Sequence, residues 1–181
     1  AVIILIEDEE KARARGAHIY GEISSIGYSF FPFRHNKYHK LGTGLKEAMR
    51  RALDEAELKP KDIDHISANA NSTKEADCIE TQAIKEVFGK ESDRVPVSSV
   101  KSMVGETFSA SGAMQLAAGL GSLEEGFIPP TINYEKREPC CDLDYVTEGA
   151  RKAKVDHVLL SCFGPSGVNN CVVLSKYEDG R

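Results

Sequence analysis

The chain has 181 residues, of which 41 % are hydrophobic, and its 23 basic and 28 acidic residues give a formal net charge of −5. This composition is typical of a folded domain and excludes disordered, collagen-like and low-complexity chains. The negative charge argues against a general nucleic-acid binder. No apolar run approaches the roughly 20 residues of a membrane span.

The first segment is the most apolar part of the chain. Residues 1–7 read AVIILIE and predict a buried strand. They lack the basic start and the longer apolar stretch of a secretory signal. Because a free domain rarely begins inside its own buried strand, we expect the chain to be a piece of a larger protein.

Strands and helices alternate through the rest of the sequence. Residues 18–25 predict a strand that pairs with the first, and residues 28–40, which are aromatic and basic around Pro32, predict a loop. Further strands are predicted at 65–70, 95–99, 157–162 and 170–176, and helices at 43–57, from a Ser72/Glu75 capping box to Gly89, and at 106–125. A turn is predicted at 101–105. The order β-α-β-α-β-α-β-β predicts an α/β fold with one mixed five-stranded sheet covered by helices.

The helix predicted at 106–125 is unusual in composition. It is rich in Ala, Ser, Gly and Leu and carries little charge before its last turn. A helix that is small and apolar nearly all round is expected to be enclosed on every side.

Lys101 is the strongest single candidate for chemistry. It lies in VSSVKSMVGE, between a predicted buried strand and a predicted buried helix. A cation there is costly unless it has a function or a partner, and the alternative is a side chain that extends to solvent. Taken singly, Glu106 is typical of a helix first turn and Asn69 of a turn after a strand.

Two other polar features favour structural explanations. The Gly-rich turn with Gly164, Ser166 and Gly167 is followed by a strand, whereas a phosphate-binding loop is followed by a helix. It therefore predicts a hairpin turn. His35 and His39 are four residues apart in a Pro-bearing loop, which is more typical of an exposed polar loop than of a metal site.

The cysteines indicate a reduced protein. They are five in number and none is spaced as CxxC, so a disulfide framework or a zinc ribbon is not expected. For the adjacent Cys140 and Cys141 we expect structural thiols rather than a redox function.

Five stretches carry a family pattern. They are 77–89 (DCIETQAIKEVFG), 96–103 (PVSSVKSM), 126–135 (GFIPPTINYE), 141–146 (CDLDYV) and 162–170 (CFGPSGVNN). Together they resemble the C-terminal half of a β-ketoacyl-acyl carrier protein synthase of the thiolase-like superfamily. The resemblance implies that residues 1–181 form the C-terminal thiolase-fold domain of such a protein. It also implies that the N-terminal half of the protein, which carries the nucleophilic Cys, is absent from this chain.

Four of the five site positions implied by the resemblance differ from the family pattern. Lys101 keeps the Lys of the S-S-x-K-S-M motif. Asn69 stands where N-A-H-G-T-S-T has His, Glu106 replaces the second His, and Gln115 replaces the Glu that normally pairs with the Lys. Pro165 replaces the aromatic gate of F-G-F-G-G.

The replaced positions change the expected chemistry. Decarboxylative condensation needs donors aimed at a developing oxyanion, usually both imidazoles. Asn69 can donate but cannot carry a proton, and an ionised Glu106 only accepts. We therefore expect a structural Lys101–Glu106 pair. The turn at Phe163, Gly164 and Pro165 is the implied substrate-binding segment.

The pattern resembles the chain-length factor of type II polyketide synthases, a ketosynthase paralogue without catalytic residues that pairs with an active ketosynthase. One alternative is a divergent condensing enzyme in which Asn69 is an oxyanion donor and Glu106 a general acid with a raised pKa. The other is a half-domain with only a structural role.

The implied partners are the N-terminal half of the same protein, a homologous ketosynthase subunit and an acyl carrier protein. We expect no bound cofactor and no metal, because the substrate is carried on the phosphopantetheine of the carrier. A cytoplasmic location is expected. The candidate carrier-docking residues are basic, namely Lys11, Arg13, Arg15, Arg50 and Arg51.

Overall fold

Alternating apolar patterns and turn residues produce a layered arrangement of helices on a sheet. The computed structural model describes residues 1–32 and 42–178. The helices in these ranges are α1 (Glu9–Ala14), α2 (Thr43–Glu55), α3 (Lys74–Phe88), α4 (Lys101–Val104) and α5 (Ser111–Glu125). The strands are β1 (Glu22–Phe30), β2 (His65–Ser67), β3 (Pro96–Ser98), β4 (Phe127–Ile128), β5 (Asp144–Tyr145), β6 (Arg151–Lys152), β7 (His157–Phe163) and β8 (Val168–Ser175).

The main sheet is mixed and has the strand order β1-β8-β7-β2-β3-β5. Strands β7, β2, β3 and β5 run parallel, whereas β1 and β7 pair antiparallel with β8. This confirms the α/β class and the mixed sheet. The sheet has six strands rather than five, because the two-residue β5 extends its edge and is too short to give a periodic signal. Strands β4 and β6 form a separate antiparallel pair.

Helices lie on both faces of the sheet. Helices α2 and α3 and one sheet face share a hydrophobic core that includes Leu45, Ile66 and Ile84. Helix α5 covers the other face, where Leu123 and Leu174 are buried. Strand β1 can lie close to α2 because Gly27 has no side chain. A Cβ atom at this position would collide with the backbone of α2.

The N-terminal segment does not form the predicted strand. Residues 1–8 have no regular structure, and Ile3 and Leu5 are 97 % and 76 % exposed. The prediction is wrong because an apolar segment forms a buried strand only where a neighbour covers it, and β1 pairs with β8 instead. Strand β1 begins at Glu22 and continues to Phe30, so the loop predicted from residue 28 begins too early. The rest of that loop, with His35 and His39, lies mostly outside the described residues.

Several predicted helix boundaries are also wrong. Helix α3 begins at Lys74 with Thr73 as its N-cap and without a side-chain cap, and Ser72 lies before the cap in the left-handed region at φ 63°, so the predicted Ser72/Glu75 box does not form. The turn predicted at 101–105 contains the one-turn helix α4. Helix α5 begins at Ser111 rather than at residue 106, after a 3₁₀ turn at Phe108–Ala110.

Helix α5 is not enclosed on every side within this chain. Gln115 and Gly119 are buried against the sheet, whereas Ala117 on the opposite side is exposed. In the described ranges, no helix has the length and apolar character needed to cross a bilayer.

The cysteines differ from the prediction of reduced thiols. Cys78 on α3 and Cys140 form a disulfide, and Cys141, Cys162 and Cys171 are free. The sequence spacing could not indicate this pair, because its members are 62 residues apart and meet only through the fold.

Candidate functional site

The carboxyl ends of parallel strands meet at one edge of the sheet, and they bring the predicted site residues together. Asn69 follows β2, Lys101 follows β3, and Phe163 ends β7. Such an edge is the usual place for a site in an α/β fold. Asn69, Lys101 and Gln115 are all buried there.

Lys101 has two oxygen partners. Its Nζ donates to Asn69 Oδ1 at 2.7 Å and to Glu106 Oε2 at 3.0 Å. The side chain is 6 % exposed, so the alternative in which it extends to solvent is wrong. The expected Lys101–Glu106 pair is present. Burial removes the ammonium group from water, and the carboxylate of Glu106 balances its positive charge.

Glu106 is held on its other side by the start of α5. Its Oε1 accepts from the N–H of Phe108 at 2.9 Å and from Ser111 Oγ at 2.7 Å. Partial burial favours the neutral acid, but the hydrogen bonds from Ser111 and Lys101 outweigh it and lower the pKa of this carboxyl. Glu106 is therefore an anion at neutral pH, which is the opposite of what a general acid requires.

A second carboxylate shapes the loop that carries Asn69. The buried Glu80 of α3 accepts from the backbone N–H groups of Asn69 and Ala70, at 2.8 and 2.9 Å. Burial raises the pKa of Glu80, and these two N–H groups oppose the shift. Neighbouring Asp77 has its pKa raised to about 6 by burial and by the charge of Glu80. Sequence reasoning missed both residues, because on a helix they look like ordinary polar positions.

Gln115 forms no hydrogen bond with Lys101. Its Nε2 lies 3.0 Å from each of three backbone carbonyl oxygens, those of Ser67, Ala68 and Ser161. The amide therefore joins α5 to the ends of β2 and β7. Its Oε1 is buried without a partner among the described residues.

A cavity of about 670 Å³ opens beside this network, and we call it the Lys101 cavity. Lys101, Glu106, Glu80 and Asp77 line it, and so does the segment of residues 131–136 with Glu138, which we call the wall. The size suits an organic ligand. Charged groups of both signs and apolar groups such as Ile84 share its surface.

The turn at Phe163, Gly164 and Pro165 does not line the Lys101 cavity. Phe163 and Gly164 line a separate, small cavity with Phe31 and Leu45, and neither lines the Lys101 cavity. The turn is a hairpin, as its Gly-rich sequence predicts, with Gly164 N donating to Val168 O.

The candidate docking residues lie on two helices. Lys11 and Arg13 are on α1, next to Arg15, and Arg50 and Arg51 are on α2. Two of them pair within their own helix, Arg13 with Glu9 and Arg51 with Glu47, and Arg15 pairs with Glu7. Each of these contacts is typical of a solvated face.

Among the described residues, the sulfur atoms of Cys78, Cys140 and Cys141 are the only group of metal-ligating atoms that lie within 4.8 Å of one another. They are separate from the Lys101 network, although Cys141 lines the Lys101 cavity.

Comparison with known proteins identifies the family. Residues 20–135 match the family model described as the β-ketoacyl synthase C-terminal domain. The chain is 42 % identical to a polyketide β-ketoacyl synthase 1 of Streptomyces virginiae over 182 residues, which cover 98 % of this chain and 42 % of that protein. The chain thus spans less than half the length of this relative.

Two solved structures are similar throughout the chain. One is the ishigamide ketosynthase/chain length factor, with a TM-score of 0.88, 35 % identity and coverage of 94 % of this chain and 41 % of that one. The other is a type II polyketide synthase acyl-carrier protein in complex with its ketosynthase, with a TM-score of 0.91, 31 % identity and coverage of 95 % and 42 %. The chain therefore belongs to the family of β-ketoacyl synthase C-terminal domains.

Proposed function

We propose that this chain is the C-terminal half of a non-condensing ketosynthase-like subunit, a chain-length factor that assembles with an active ketosynthase. The observation that carries the proposal is the closed contact of Lys101 with Asn69 and Glu106. Both positions at which the resemblance implies an imidazole hold other side chains, and one of them is an anion.

The chemistry of condensation supports this assignment. An enolate forms when the extender unit loses carbon dioxide, and its oxygen must be met by hydrogen-bond donors. Glu106 places negative charge beside that position and offers no proton, because its pKa is lowered. The positive charge of Lys101 is already engaged by Glu106 at 3.0 Å. The network therefore favours a structural role, although the amide N–H of Asn69 can still donate.

The proposed partners follow from the same assignment. The N-terminal half of the protein would cover the exposed apolar stripe of β1, formed by Ile26, Tyr28 and Phe30, which are 53 %, 65 % and 65 % exposed. A homologous ketosynthase subunit would complete the dimer. The acyl carrier protein would bring the substrate on its phosphopantetheine, so the chain itself needs no bound cofactor.

One observation favours the alternative of a divergent condensing enzyme. The Streptomyces virginiae relative is named a β-ketoacyl synthase 1, not a chain-length factor. In that case Asn69 is an oxyanion donor and Glu106 takes part in proton transfer. The ionised state of Glu106 opposes the second of these roles.

The variant Glu106→Gln in the full-length subunit, assembled with its ketosynthase and carrier, separates the two functions. A non-condensing subunit keeps its rate of product formation within about threefold, whereas loss of a group that acts at the reacting atoms costs on the order of 10²–10³. Glu55→Gln, at an exposed position of α2 outside the cavity, is the matched control. Thermal unfolding of each assembled variant identifies any loss that is due to misfolding.

The reverse substitutions give a second readout. Asn69→His together with Glu106→His returns both imidazoles. If the chain is a divergent enzyme that depends on Asn69 and Glu106 directly, this double variant loses its normal product while remaining folded. Unchanged product length and rate support the non-condensing subunit.

A further inference from the structure

Three sulfur atoms lie together at the start of helix α3, outside the Lys101 network. Cys78 lies near the beginning of the helix, and Cys140 and Cys141 follow Pro139 in the connection to β5. Cys78 and Cys140 are bonded, with their Cα atoms 5.4 Å apart. The Sγ atom of Cys141 is 3.9 Å from that of Cys140. The site chemistry does not use this group, although Cys78 and Cys141 lie in two of the stretches that carry the family pattern.

The disulfide joins the two sides of the Lys101 cavity. Asp77, the neighbour of Cys78, lines the cavity from α3, and residues 131–136 and Glu138 line it just before Cys140. Cys141 itself hydrogen-bonds to Thr81 of α3. Two ion pairs among the described residues also link the wall region to α3, Lys74–Glu138 and Lys85–Asp142, at 2.9 and 2.7 Å. All four of these side chains are more than a third exposed, so each pair contributes little to holding the wall.

We propose that Cys78 and Cys140 form a redox modification site that controls the wall of the Lys101 cavity. In the oxidised form the covalent bond fixes residues 131–140 against α3. In the reduced form the exposed ion pairs, the hydrogen bonds of residues 131–133 and the stacking of Tyr134 on Tyr145 still hold the wall, but without a covalent bond it opens more often.

A low-molecular-weight thiol reduces the pair, and the disulfide of that thiol oxidises it. A thiolate attacks the exposed Cys140 sulfur, the Cys78–Cys140 bond breaks, and Cys78 leaves as a thiolate that takes up a proton. A second thiolate then attacks the external sulfur of the mixed disulfide and releases Cys140 and one molecule of oxidised co-reactant. Oxidation is the reverse sequence, so atoms and electrons balance without a metal or an enzyme.

Exposure selects Cys140 as the sulfur that is attacked, because Cys78 and Cys162 are both half-buried. Cys140 is exposed, whereas Cys141 and Cys171 are buried. Burial raises the pKa of the Cys141 thiol, which keeps it protonated and unreactive at neutral pH. Cys141 is therefore a neighbour of the exchange and not its first nucleophile.

The first test is to locate the bond in the full-length protein. After purification without reductant, free thiols are blocked with N-ethylmaleimide in denaturant and the tryptic peptides are identified by mass spectrometry. We expect a linked peptide that contains Cys78 and Cys140, with Cys141, Cys162 and Cys171 alkylated. Treatment with glutathione should make both linked cysteines reactive. A predominant bond between Cys140 and Cys141, or five free thiols after incubation with oxidised glutathione, would overturn the proposal.

The second test measures the wall itself. Trypsin cleaves after Lys136 and Arg137, which are exposed in the wall region. Native cleavage there should be roughly tenfold faster after reduction of the wild type. The double variant Cys78→Ser/Cys140→Ser should be cleaved at the fast rate with or without reductant, and Cys162→Ala should respond as the wild type does. Equal cleavage of the oxidised and reduced wild type would contradict control of the wall.

A metal-binding role is the competing outcome for these sulfur atoms. The reduced protein is dialysed against Zn²⁺ and then desalted, and its metal content is measured. If one Zn²⁺ per chain is retained by the wild type and lost in Cys78→Ser/Cys140→Ser and in Cys141→Ala, the three thiols are a metal site and the redox proposal fails. The proposal expects no retained metal.

Discussion

His65 illustrates how a single side chain is tuned by its surroundings. It is 1 % exposed between the parallel strands, its Nε2 contacts Ser98 Oγ at 2.9 Å, and its Nδ1 has no partner among the described residues. Desolvation disfavours the charged ring and lowers its pKa to about 3. Lys101 is buried as well, but it keeps two oxygen partners. The two residues show that burial alone does not identify a functional group.

His65 predicts a pH dependence of stability. The imidazole of His65 binds a proton below a pKa of about 6.5 in the unfolded chain but only near pH 3 in the folded protein. The free energy of unfolding therefore falls as the pH drops from about 6.5 towards 3. The loss is at most about 1.4 kcal/mol per pH unit. His65→Gln removes this contribution, while Asp77 and Glu80 titrate in both proteins and cancel in the difference.

Urea unfolding at several pH values between 4.5 and 8 measures that difference. Above pH 6.5 the free energies of unfolding of the wild type and His65→Gln should change in parallel with pH. Below pH 6.5 the free energy of unfolding of the wild type should fall more steeply. Parallel curves for the wild type and His65→Gln would show that the ring is not held neutral.

Among the elements, those with long periodic patterns were predictable from sequence and those defined by neighbours were not. Helix α2 was predicted at 43–57 and spans Thr43–Glu55, because its apolar spacing faces the sheet. Residues 1–7 were predicted as a strand on apolar character alone and remain exposed. Strand β5 has two residues, and its pairing with β3 depends wholly on tertiary structure.

The candidate site was predictable in part, for a similar reason. Lys101, Asn69 and Glu106 were identified from motif positions, and they are in contact. The contribution of Glu80 could not be foreseen, because it depends on two backbone N–H groups that a loop conformation points towards it.

The contact between β1 and α2 gives a prediction about packing. A Cβ atom at Gly27 would lie 2.1 Å from Ala48 O and 2.4 Å from Ala52 N, both of them backbone atoms of α2. Gly27→Ala must push the helix from the sheet and should lower the free energy of unfolding by about 3 kcal/mol or more. Gly164→Ala, whose nearest atom would be Ser166 Oγ at 3.9 Å, should change it by less than about 1 kcal/mol. Chemical denaturation of both variants checks this, and equal stabilities would refute the close approach.

On the scale of the whole molecule, the sheet is covered unevenly. Helix α5 protects β7 and β8, but the same face of β1 is open and carries Ile26, Tyr28 and Phe30. Contiguous apolar side chains of this kind mark an interface. The chain also spans less than half of its relative, so a second half-structure is the proposed cover.

A charged residue on this stripe tests the proposed cover. Tyr28→Asp should leave the fold of this chain intact, because the side chain is 65 % exposed, but it should destabilise the full-length subunit by about 2 kcal/mol or more if the stripe is buried there. The exposed Lys90, replaced in Lys90→Asp, serves as a control. Thermal unfolding of the full-length variants is the measurement. Identical midpoints for Tyr28→Asp and Lys90→Asp would mean that the stripe faces solvent.

The charge of Lys101 is balanced from one position. In the pattern that the chain resembles, the carboxylate for this lysine comes from position 115 and position 106 holds an imidazole, whereas here Glu106 supplies it and Gln115 binds carbonyl oxygens. Because the amide of Gln115 carries no charge, loss of the Glu106 carboxylate alone would leave a buried ammonium without a countercharge, at a cost of about 3–5 kcal/mol. The charge balance at the end of β3 therefore depends on the first turn before α5 and not on α5 itself.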